Sequence, residues 1–114
     1  MFIYHILPTA DWKQALELGS YQPPSLISEG FIHFSTLTQV VHTANRYYPA
    51  VDDLCLLVAD VDKLAADVQM ENTVGGTELF PHLYGPLNLE AVVKVVEFPH
   101  DAAGEFYLPD DLAV

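Results

Sequence analysis

The chain opens on an apolar run at residues 2–7 that reads as a strand, with Ile3, His5 and Leu7 on one face. Pro8-Thr9-Ala10-Asp11 then carries the marks of a helix start, with Thr9 as N-cap and Asp11 in the first turn. Trp12, Ala15 and Leu16 recur at helical spacing, and Gly19 follows as a C-terminal glycine should. Tyr21-Gln22-Pro23-Pro24 predicts a connecting loop, and residues 25–29 a short helical turn. Gly30 breaks into a second strand, Phe31-Ile32-His33-Phe34. Thr36-Leu37-Thr38-Gln39 fits a capping box, which predicts a helix over residues 37–48 with Val40, Ala44 and Tyr47 or Tyr48 inward and Pro49 as its stop.

The second half changes period. Residues 54–60 are the most apolar segment and predict a central strand. A helical turn is expected at 62–66, a strand at 68–71, and a turn at 72–77 around Gly75-Gly76. Residues 79–87, with Pro81, Gly85 and Pro86, read as irregular. The β-branched run at 91–98 predicts another strand, and the acidic tail at 99–114 one edge strand at 105–108. Helices come early and strands late, so the pattern is α+β rather than doubly wound. A length of 114 residues suits a single domain spanning 1–114.

Charge narrows the function. Sixteen acidic residues face four basic ones, a formal net charge of -12. Nucleic acids and anionic membranes are bound largely through Lys and Arg, so both are excluded as partners. A small-molecule ligand in a local pocket remains open. No run approaches the ~20 apolar residues of a membrane helix, and Met1-Phe2-Ile3-Tyr4-His5 has no basic leader region, so the expected location is the cytoplasm. The lone Cys55 lies inside the most apolar segment and reads as a packed filler rather than a nucleophile.

Three segments set histidine beside polar groups in apolar surroundings. His5 points with Ile3 and Leu7 and reads either as a core-edge histidine bonded to a backbone carbonyl or as a ligand group. Phe31, His33 and Ser35 share a strand face just before a helix start, where histidine, hydroxyl and free N–H groups suit ribose or phosphate, while Ser35 and Thr36 alternatively only cap the helix. The third segment, Glu78 to Leu87, holds His82 and Tyr84 on a path fixed by prolines and reads as a pocket wall or a packing loop. Arg46, the only arginine, is either a solvated ion-pair partner or a phosphate ligand, with Asn45 beside it to orient a ribose or amide.

Gly30-Phe31-Ile32-His33-Phe34-Ser35-Thr36, Thr43-Ala44-Asn45-Arg46-Tyr47-Tyr48 and Leu79-Phe80-Pro81-His82-Leu83-Tyr84-Gly85-Pro86-Leu87 together resemble the signature segments of an uncharacterised bacterial family, number nine hundred and fifty-two in the domain-of-unknown-function series. That resemblance implies likeness to the ADP-ribosyltransferase fold and its RNA 2′-phosphotransferase branch, a split pair of small sheets gripping NAD. By position it implies that His5 bonds the nicotinamide ribose and that His33, Ser35 and Thr36 lie near the nicotinamide. His82 or Glu78 would take the place of the glutamate many transferases use, and Tyr84 could stand for a tyrosine missing from the second segment. The leading expectation is therefore a histidine-lined cleft for a nucleotide-type ligand such as NAD or ADP-ribose. His33 and His82 would be catalytic; His5, Ser35, Thr36, Asn45, Arg46 and Tyr84 would bind ligand. The alternatives are a non-catalytic metabolite-sensing or protein-docking module, and a metal site formed by His5, His33 and His82.

Overall fold

The computed structural model of the chain describes residues 1–73 and 75–112, so the expected turn at 72–77 and the acidic tail lie outside it at 74 and 113–114. The architecture is α+β, with small antiparallel sheets and three α-helices among the described residues.

The largest sheet runs in the order β1 (Phe2–Pro8), β4 (Leu54–Asp60), β8 (Val92–Glu97). The continuous apolar run Leu54 to Ala59 takes the middle place because it alone can be covered on both faces. One face of the sheet carries Ile3, Leu7, Cys55, Leu57 and Ala59, the other Tyr4, Ile6, Leu54, Leu56 and Val58. Each fully buried Leu or Ile here contributes on the order of 2 kcal/mol by leaving water. Helix α1 (Thr9–Leu18) buries Ala15 against the first face. Helix α3 (Val40–Tyr47) buries Val40 and Ala44 against the second.

A second sheet has the order β3 (Ile32–His33), β6 (Phe80–Leu83), β5 (Val68–Glu71). It is joined to the first by an isolated bridge, in which the Tyr4 and Ser35 main chains exchange bonds of 2.8 and 2.7 Å. A two-stranded ribbon, β2 (Ser20–Tyr21) with β7 (Leu87–Asn88), and the one-turn helix α2 (Ser25–Ser28) complete the scaffold.

Several expectations need correction. Thr9 is the first helical residue rather than the N-cap: Pro8 holds that place, and the Thr9 amide donates to the Asp53 carbonyl at 2.8 Å. Helix α3 begins at Val40, not Leu37. Only half of the capping box forms, since the Gln39 side chain reaches back to the Thr36 amide at 3.0 Å while the Thr36 hydroxyl meets Thr38 instead. Tyr48 packs inward and Tyr47 stays exposed. Residues 80–83, expected to be irregular, are the middle strand β6. Pro81 keeps one bond of this pairing, its carbonyl accepting from the Phe34 amide at 2.9 Å, and the N–H it lacks falls just beyond the end of β3. The edge strand expected at 105–108 reduces to one bridge, Phe106 with His100.

Candidate functional site

A cleft of about 650 Å³ opens over the seam between the two three-stranded sheets. Strand pairing builds its centre: His33 and His82 are register partners on β3 and β6, with rings edge to face 5.4 Å apart. Phe31 stacks on the His82 ring at 4.1 Å and meets the His33 ring edge-on at 4.9 Å. The face shared by Phe31 and His33 thus packs onto the neighbouring strand.

Each of these histidines is held by a carboxylate. His82, only 3% exposed, bonds through Nδ1 to Glu71 Oε1 on β5 at 3.0 Å. The Tyr84 hydroxyl donates to the same oxygen at 2.5 Å. These two bonds, Tyr84 first, hold the Glu71 carboxyl below its usual range. A carboxylate only accepts, so Nδ1 of His82 carries the proton and Nε2 is left with its lone pair. No described group bonds that Nε2, no buried side-chain nitrogen is left without solvent or partner, and His82 is among the residues that line the cleft. His33 bonds Glu29 through Nε2 at 2.8 Å and is half exposed.

His5 is a core-edge histidine bonded to a backbone carbonyl, the structural reading that its strand face gives. Its Nδ1 donates to the His33 carbonyl at 2.5 Å, and its Nε2 accepts from the Tyr21 hydroxyl at 2.9 Å. Desolvation pushes its pKa down to about 4, so it is neutral at pH 7. With both nitrogens engaged, His5 lines the cleft as a brace and offers neither nitrogen to a ligand or a metal. Among the described residues no group of three His, Cys, Asp or Glu side chains is placed to hold a metal ion.

The cleft brings His5, His33, Ser35 and His82 together, a convergence that the residue pattern alone left open. Ser35 is buried, its hydroxyl donating to Thr43 Oγ1 at 3.4 Å. Thr36, Asn45, Arg46 and Tyr84 do not line the cleft. Thr36 is consumed by the turn before α3. Asn45 clamps the tail, donating to the Phe106 carbonyl at 3.3 Å and accepting from its amide at 2.7 Å. Arg46 lies over the exposed Tyr47 ring at 5.4 Å. Tyr84 acts only through Glu71. Glu78 accepts from the Gln39 amide group at 3.1 Å. Sequence reasoning missed Glu71, Glu29, Tyr21 and Asp11. Glu71 has no local signal, since it meets His82 across a strand pair; Glu29 sits four residues before His33, a spacing that could have drawn notice.

Fold and site define a small α+β protein with a cleft in which two carboxylate-held histidines stand side by side on paired strands. Residues 6–95 match the model of the family described as "Protein of unknown function (DUF952)", and the chain belongs to that family. It is 33% identical to protein CC0527 from Caulobacter crescentus in its X-ray crystal structure, with 95% of each chain covered and a TM-score of 0.85. The solution NMR structure of the same Caulobacter protein gives 34% identity, 98% of this chain and 97% of that one covered, and a TM-score of 0.83. No curated protein sequence matches the chain. Among the described residues no helix is long and apolar enough to cross a membrane.

Proposed function

We propose that the cleft binds a small nucleoside-type ligand and that His82 is its acid–base group, in a glycosyl-transfer or glycosidic-cleavage reaction of the kind the ADP-ribosyltransferase resemblance implies. The observation that carries this reading is the Glu71–His82 pair: the carboxylate fixes the ring through Nδ1, and Nε2, which no described group bonds, belongs to a residue that lines the cavity. This is the arrangement by which a carboxylate prepares a histidine to take a proton from a nucleophile. His33, held by Glu29 next to it, is the second catalytic group. Departure of a base from ribose builds positive charge at the sugar, and a cleft lined by Asp11 and Glu29 favours that charge. The setting we infer is the cytoplasm, in keeping with a chain whose one cysteine forms no internal disulfide.

The test is a thermal-shift screen with nucleosides and nucleotides on the native chain, His82→Gln and Glu71→Gln, followed by a base-release assay on any hit. A ligand that raises the native Tm, loses that effect in His82→Gln and is cleaved only by the native chain supports the reading. A ligand bound equally by both and never cleaved favours a sensing module, and no shift by any member overturns the reading.

A further inference from the structure

Resting on the reading of this cleft as a nucleoside-type site, we infer that its ligand is an aromatic cation without phosphate. Two carboxylates, Asp11 and Glu29, line the cavity, and among its described lining residues there is no Lys or Arg. The chain's one guanidinium, on Arg46, is not among the lining groups and lies over the ring of Tyr47, which is.

Three main-chain donors near the cleft are already spent. The Ser35 amide is spent on the Tyr4 carbonyl, the Thr36 amide on Gln39 Oε1, and the Thr9 amide at the start of α1 on the Asp53 carbonyl. Asp11, in the first turn of α1, cancels the field of that helix end for an anion. His33 and His82 each already face a carboxylate through one ring nitrogen, and His5 has neither charge nor a free nitrogen to offer.

The walls supply the opposite preference. Tyr21, Tyr47, Tyr48 and Phe80 are among the lining residues, and aromatic rings attract a flat cation. Burial first, and then the charge of Asp11, raise the hydroxyl pKa of both Tyr21 and Tyr48, which sets that carboxylate in the field of both rings. A dinucleotide such as NAD would bring two phosphate charges to carboxylates with no cation between them. The residues present therefore do not fit NAD, whereas a positively charged, phosphate-free riboside meets rings and carboxylates together.

Calorimetry at low ionic strength tests this on the native chain with four probes sharing one ring: nicotinamide riboside, its uncharged reduced form, its 5′-monophosphate, and NAD. The riboside should bind at least about tenfold more tightly than each of the other three, since like-charge contacts and a lost charge partner both weaken binding. The Asp11→Asn/Glu29→Gln variant should lose about tenfold for the riboside and narrow the gap to the monophosphate. NAD, the monophosphate or the reduced riboside binding as tightly as the riboside overturns this inference and leaves the cleft reading standing. Binding of none of the four, with no change in the His33 and His82 ring resonances, overturns both.

Discussion

The His5 imidazole bridges two strands and a ribbon, giving its Nδ1 proton to the His33 carbonyl at 2.5 Å and accepting the Tyr21 hydroxyl at 2.9 Å through Nε2. Removing the ring leaves a carbonyl and a mostly buried hydroxyl unpaired. His5→Ala should cost about 1–3 kcal/mol, and Tyr21→Phe, which orphans only a ring nitrogen, about 1 kcal/mol in urea denaturation. The same bridge sets a pH dependence. The folded pKa of about 4 lies below the unfolded 6.5, so the unfolded chain binds the proton first as pH falls. Stability should decline from pH 6.5 to 4 by roughly 1 kcal/mol per unit, and that slope should vanish in His5→Ala.

Tyr84 lies outside the cleft yet governs it through Glu71. The Tyr84 hydroxyl is the first cause of the depressed Glu71 pKa. Tyr84→Phe should therefore raise the Glu71 titration midpoint, read from side-chain carboxyl shifts by NMR. It should also loosen His82, broadening its ring resonances, while Tm stays within a few degrees because the hydroxyl is at the surface.

His100 ties the acidic tail to the body. Nδ1 donates to the Asp101 carbonyl at 2.6 Å, and Nε2 meets Asp52 at 2.7 Å. The Asp101 carbonyl first and Asp52 second raise its pKa above 6.5. The stability this adds is fully present below pH 6.5 and is lost as pH rises through the raised value. Amide exchange, corrected for its intrinsic rate, should quicken at Asp101, Gly104 and Phe106 over that rise, and His100→Gln should abolish the change.

Gly85 closes the end of the β6 segment against residue 66. A Cβ there would stand 2.7 Å from the Ala66 Cβ, a short side chain that cannot swing away. Gly85→Ala should cost about 1–3 kcal/mol by overpacking, visible as a lowered midpoint in thermal unfolding.

The sequence made the sheet with β4 at its centre legible, because a six-residue apolar run has only one place in a small fold. The gathering of His5, His33 and His82 was not legible in the residues themselves and rested on the family resemblance, because it depends on how β1, β3 and β6 come together. What stayed hidden was decided across strands. Glu71 finds His82 only when β5 pairs with β6, and that pairing was masked by Pro81, a residue whose local rule argues against a middle strand. Asn45 and Arg46 misled for the opposite reason. Rare polar residues in an acidic chain suggest a ligand, yet the helix face that carries Asn45 turns toward the tail, where Phe106 takes both ends of its amide.

The bridge between Tyr4 and Ser35 makes the molecule a pair of leaves stitched at one point. The stitch and the His5 brace are both made of residues that line the cleft. An occupant that touches both leaves would clasp them together. The Tyr4 and Ser35 amides, which hold the stitch, are thus the natural gauge of that clasp.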